Sequence, residues 1–245
     1  MFNKKYALAA VAAVAVSAIA GIVSAQTPPA PAPAAPATPP PRQPLGFFVA
    51  STVPGSGNLG GLAGADKICQ DLATAAGAGG RTWRAYLSTQ AVAAQGNTPA
   101  QPAVNARDRI GNGPWFNAAT PQARIAANVA DLHGDLDRDR NYINKLGSVD
   151  ENGKQINGVG DTPNQHDILT GSDSYGRAFP PGQDMTCNNW TSAEVGPNAG
   201  AMLGHTDRLG GGNTSWNMAH RSAGCDAPGL VRTGGAGKIY CFAAN

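Results

Sequence analysis

Four cysteines, Cys69, Cys187, Cys225 and Cys241, are the only ones in a chain of 245 residues. Their number is even, and none has the paired short spacing of a zinc-binding cysteine site, so they read as two disulfides, with three pairings open to sequence alone. Disulfides persist in oxidising compartments, and the N-terminus supplies a route to one. Lys4 and Lys5 precede an Ala/Val-rich stretch from Tyr6 to Val23, and Val23-Ser24-Ala25 has the small-residue pattern of a cleavage site. Residues 1–25 therefore read as a signal peptide. The expected location is secreted, periplasmic or cell-surface, with membrane contact only through this segment where it stays uncleaved.

Nine of the 19 prolines fall between residues 26 and 45. Such a Pro/Ala tract packs no core and reads as an extended linker, spanning about 60 Å at ~3.1 Å per residue. Residues 46–245 contain no second tract of this kind and are long enough to bury one substantial core, so they read as a single domain. Its glycine content, 32 in the whole chain, points to many turns and long loops. The 18 basic and 16 acidic residues include Lys4 and Lys5, and without those two the balance is 16 to 16. A neutral domain without basic runs is not built to neutralise phosphates, which argues against a nucleic-acid partner.

Local patterns suggest an α+β fold. Phe47 to Thr52 is an apolar, β-prone run ended by Pro54-Gly55, and Thr82 to Ser88 alternates as a half-buried strand does. Gly64 to Ala75 carries Ala65, Ile68, Cys69 and Leu72 at helical spacing. A second helix is expected after Thr120-Pro121, with Ile125, Val129 and Leu132 as its stripe and Gly134 as its stop. Asp167 to Thr170, the region around Trp190, and Lys238 to Ala243 are further strand candidates.

Gly64-Ala65-Asp66 with Cys69, then Arg81-Thr82-Trp83-Arg84-Ala85-Tyr86-Leu87-Ser88, resembles the start of the endostatin-like domain of certain collagens. Leu169-Thr170-Gly171-Ser172-Asp173 with Gly176-Arg177, Thr186-Cys187 and Trp190 resembles its middle, and Ile239-Tyr240-Cys241 its last strand. The chain is also similar to exported bacterial proteins described as lectin-like. Asn189-Trp190, Gly196-Pro197-Asn198 and Ser215-Trp216-Asn217 resemble the Asn-Trp, Pro-Asn and Trp-Asn elements of sugar-binding C-type lectins. The resemblance implies a single C-type-lectin-like domain with two helices, a twisted and mostly antiparallel sheet, long loops and nested disulfides, Cys69–Cys241 and Cys187–Cys225. Zinc does not carry over from the collagen domains, whose histidines near the start have no counterpart between Gly46 and Ser56.

Three constellations carry polar chemistry. Asp135, Asp137 and Asp139, flanked by Asp131, His133 and Asn141, repeat as carboxylates do in a calcium loop. Arg140 and Leu146 stand where that loop needs glycine and glutamate, so these are weak calcium candidates, and calcium is the one cofactor the sequence suggests. His205, Asp207, Trp216, Asn217 and His220 lie between Cys187 and Cys225, in the segment that forms the ligand face of lectin-like folds. With Trp190 and Asn198 they form the expected ligand-binding set: an indole stacks on a sugar ring while Asn, Asp and His bond its hydroxyls. His205, Asp207 and His220 could also hold a metal. Asn164-Gln165-His166-Asp167 reads as a chain turn before a strand. There is no Gly-x-Ser-x-Gly elbow, and paired cysteines leave no thiol nucleophile, so the chain is not read as an enzyme. The sequence points to an exported lectin-like module that binds carbohydrate or cell-surface glycan through the 187–225 loop. A structural or protein-interaction domain of the cell envelope, binding a surface or extracellular protein, is the alternative. A metal-dependent hydrolase using His205, Asp207 and His220 comes third.

Overall fold

The longest strand, β8 (Gly235–Ala243), is the axis of the structure. The computed structural model describes residues 41–134 and 141–245; the expected signal peptide, most of the expected linker and Asp135, Asp137 and Asp139 lie outside the described residues. β1 (Phe47–Val49) runs antiparallel along one edge of β8, with Phe48 opposite Cys241. β2 (Trp83–Ala85) pairs antiparallel with Cys241–Ala243, and β5 (Asp167–Leu169) pairs parallel with the first half of β8, so these two share its other edge. The sheet continues antiparallel from β5 to β6 (Met202–His205) and β7 (His220–Arg221), giving the order β1-β8-β5-β6-β7.

Both faces of β8 are covered, which is why Ile239 to Ala243 is apolar without alternation. Ile239, Cys241 and Ala243 join Phe48, Trp83, Leu169 and Leu203 in one core layer under α1 (Gly61–Ala75). Tyr240 and Phe242 face a second layer with Phe47, Tyr86, Trp115, Ile125 and Trp216. The Cys69–Cys241 disulfide joins α1 to this central strand, and Cys187–Cys225 closes a segment of 38 residues. The two disulfides fit an oxidising environment. Among the described residues no helix is long and apolar enough to cross a membrane.

The helix expected after Thr120-Pro121 is replaced by a hairpin and one short helix. β3 (Trp115–Phe116) pairs with β4 (Arg124–Ala126), and α2 (Val129–His133) follows, its first turn capped by the Asn128 side chain accepting from the Asp131 amide. Ile125, Val129 and Leu132 are spaced four and three apart, which a strand end followed by a single helical turn satisfies as well as one helix does. The region around Trp190 is not a strand either. Residues Cys187–Trp190 (α3) form a turn in which four successive residues have φ of 49°, 52°, 52° and 67°, the left-handed region. α4 (Ala227–Thr233) enters β8 through Gly234. The described residues thus form an α+β fold with four helical segments, two more than expected, and a mixed sheet.

The last residues of the proline-rich tract bind the domain. Arg42 donates to Ala118 O and Thr120 Oγ1, and Gln43 and Gln122 exchange two hydrogen bonds. On the other side, α1 is fastened to β2 by a buried charge. Asp66 accepts from Arg109 Nη2 at 2.7 and 2.8 Å, from Arg84 Nη1 at 2.7 Å and from the Ala85 amide at 3.0 Å. Removing the carboxylate strands the Arg109 guanidinium, so Asp66→Ala is expected to lower the unfolding free energy by about 3–5 kcal/mol in urea titration.

Candidate functional site

Antiparallel pairing brings the start of β5, the end of β6 and the start of β7 to one end of the sheet. Asp167 lies directly opposite His205, and Leu203 lies opposite His220. Gly204 lets β6 pass against the carbonyl of Trp216, where any Cβ would collide, so the 206–219 loop folds back tightly beside its own strand. A register shift between Asp167 and Ile168, where β5 meets β8, frees Asp167 from the regular ladder.

Three of the chain's four histidines converge on the Asp167 carboxylate. His166 Nε2 is 3.2 Å from Asp167 Oδ1, His205 Nε2 3.4 Å and His220 Nε2 3.5 Å. Ligand atoms of His166, Asp167 and His205 all lie within 4.8 Å of one another. The His166 and His205 rings stack with centroids 4.3 Å apart, and His220 meets His205 edge-on at 4.9 Å. Yet both oxygens of Asp167 and both ring nitrogens of His205 are buried without a hydrogen-bond partner. Buried polar groups are nearly always paired, and an unpaired buried carboxylate is among the most costly groups a fold can contain.

The proton inventory sharpens the conflict. Asp207 Oδ1 lies 3.0 Å from His166 Nδ1 and accepts from the Leu209 amide at 2.9 Å, while Oδ2 accepts from the Val159 amide at 2.8 Å. Burial alone would raise the Asp207 pKa, but these hydrogen bonds outweigh it and hold it at about 2. Asp207 is therefore an ionised acceptor, and His166 Nδ1 carries the proton that meets it. His166 Nε2, on the other side of the ring, faces Asp167. Burial, with His166 next to it, lowers the His205 pKa and favours its neutral ring. Interaction with Asp167 raises the His220 pKa. A cation held between the carboxylate and the imidazole nitrogens would give each of these buried atoms a partner.

A divalent ion resolves this arrangement. Ligand bonds of ~2.0–2.1 Å in a tetrahedron put donor atoms about 3.3 Å apart, close to the separations of the three imidazole nitrogens from Asp167 Oδ1, with His166, Asp167 and His205 forming the mutually close group and His220 beside it. Imidazole nitrogens select zinc, copper, nickel or iron, whereas calcium takes oxygen ligands. The Asp207–His166 contact is the carboxylate–histidine pairing that orients a metal-bound imidazole. Gly234 leaves room beside the site, since a Cβ there would sit 3.0 Å from His166 Nε2.

The ligand-binding set read from sequence is dispersed. Trp190 is fully buried in the α1-side core, its Nε1 donating to Ser88 O at 2.8 Å. Trp216 is 3% exposed and packs on Tyr86 and Tyr240 at 4.8 and 5.5 Å, so neither indole offers a ring face to a sugar. Asn217 is buried, donating to Tyr86 Oη and the carbonyls of Asp173 and Ser174. Asn198 is exposed, and its carbonyl accepts from Arg221. Of the metal trio suggested by sequence, His205 and His220 face the centre, while Asp207 stands behind it. His166 and Asp167, read as a turn, supply the core of the site. The signal was there in an adjacent His-Asp pair opening a strand, in a chain with only four histidines.

In the metal-free chain, Asp207 has a pKa below its unfolded value. Its contribution to stability is therefore complete above about pH 4 and is lost as pH falls towards 2, amounting to about 2 kcal/mol. Asp207→Asn is expected to flatten this acid limb when urea midpoints are measured from pH 5 to pH 2. In comparisons with known proteins, no family model matches the chain and no curated protein is significantly similar to it.

Proposed function

We propose that this chain is an exported binding module built around a single zinc-class ion held by His166, Asp167, His205 and His220. The observation that carries the reading is the unpartnered buried carboxylate of Asp167 with three imidazole nitrogens 3.2–3.5 Å away. The signal-like N-terminus and two disulfides support export. The mixed sheet and the nested disulfides are compatible with a C-type-lectin-like, endostatin-like fold, and that resemblance supports a binding role over catalysis.

A second reading keeps glycan or surface-protein recognition. A cleft of about 440 Å³ is lined by Asn213, Thr214, Ser215, Trp216, Asn217 and Met218, from the loop that runs between His205 and His220. Hydroxyl and amide groups of this kind suit a sugar. In this reading the ligand enters the cleft rather than stacking on Trp190 or Trp216, and a glycan array probed with the full chain is expected to lose its signal after chelation.

The metal reading has a direct test. The purified, oxidised chain is expected to bind one zinc ion by calorimetry, and calcium should not compete. Zinc at 1,000 times its dissociation constant should raise the unfolding free energy by about 4 kcal/mol. His205→Ala should abolish both effects, and a wild-type chain indifferent to zinc would defeat the assignment.

A further inference from the structure

The four ligand side chains are not equivalent. Those of His166, Asp167 and His205 are 6%, 0% and 2% exposed, whereas that of His220 is 39% exposed. Each buried member is fixed from behind. His166 is oriented by Asp207 Oδ1, 3.0 Å from its Nδ1, and Asp167 is held where β5 bonds to Gly234 O. His205 sits in β6 with its ring stacked on His166. His220 belongs to a two-residue strand at the edge of the sheet. Its Nδ1 meets the Arg221 carbonyl, at 3.2 Å, so on that side no carboxylate orients the ring as Asp207 orients His166.

We infer that the centre is an open one: His166, Asp167 and His205 carry the ion, and His220 occupies a position that an exogenous carboxylate takes in its place. The inference rests on the metal reading of this site. Three protein ligands plus one exchangeable position is the pattern of zinc sites that act on something, whereas closed four-ligand sites are structural. One carboxylate against a dication leaves the inner coordination sphere positive, which favours an anionic incoming donor. Carboxylate oxygen is a normal zinc ligand. Entry is from solvent, along the exposed face of His220 at the sheet edge, so the incoming group can belong to a molecule much larger than the site.

The test uses the full oxidised chain loaded with cobalt(II), whose visible bands report coordination. Acetate is expected to shift these bands saturably in the wild type. His220→Ala should retain cobalt with no more than the ~10–100-fold loss typical of an outer-shell change, and should bind acetate more tightly. His220→Gln, closer in size, should behave in the same way and guards against a folding defect in the alanine variant. His205→Ala should lose cobalt entirely. Glucuronate and N-acetylglycine then distinguish a sugar acid from a peptide terminus as the source of the carboxylate, and a response to either upholds the open position. Cobalt lost from both His220 variants as completely as from His205→Ala would overturn the inference in favour of a closed site. Wild-type and variant spectra blind to acetate would do the same. A wild-type chain that binds no cobalt would overturn the metal reading itself, and this inference with it.

Discussion

β8 is buried on both faces, and every other element is arranged by that fact. A strand so placed must have each backbone group paired and each side chain packed, because water reaches neither. Its partners are β1 on one edge and β2 and β5 sharing the other, with α1 fastened across it through Cys69–Cys241. The polar end of the sheet begins where this regularity gives out. Between Asp167 and Ile168 the register with β8 slips, and the carboxylate released there meets the imidazoles of β6 and β7.

A fold that buries the Asp167 carboxylate beside the ring nitrogens of His205 and leaves these atoms without hydrogen-bond partners is working against its own stability. Local conflicts of this kind concentrate where a protein does something. Here the conflict has a direction. Asp207 meets His166 Nδ1 and leaves Nε2 turned towards Asp167, the arrangement a metal-bound imidazole needs. The Asp207 carboxylate also ties Val159 and Leu209 to the site through their amides, so the support of the centre reaches two loops that are distant in sequence.

The sequence made the framework legible wherever the physics was local. Phe47 to Val49, Ile239 to Ala243 and the stripe through Ala65 and Cys69 declare their structure through periodicity or through its absence. Ile125, Val129 and Leu132 misled because their spacing satisfies two geometries, and the partner that decides between them, Trp115, is fixed only in the folded chain. The site was half legible. His205 and His220 stood out in a polar loop, whereas His166-Asp167 looked like turn chemistry, because the contacts that define it cross from β5 to β6 and are set by register. Trp190 and Trp216 invited a stacking role by residue type, and the two core layers claimed them instead.

The left-handed turn at Cys187–Trp190 has a consequence for what this surface can become. Left-handed backbone costs an ordinary L-residue roughly 1–2 kcal/mol, less for asparagine, and here four such residues follow one another. Cys187 is held by its disulfide, Trp190 by the core and Asn189 by two hydrogen bonds to the Gln90 backbone, so only position 188 is open to change. There, asparagine, aspartate and glycine fit, while β-branched residues are excluded by backbone shape alone. Asn188 is exposed and would look freely exchangeable, yet its repertoire is nearly as narrow as that of a core residue, and drift along this stretch of surface is confined to a few small polar side chains.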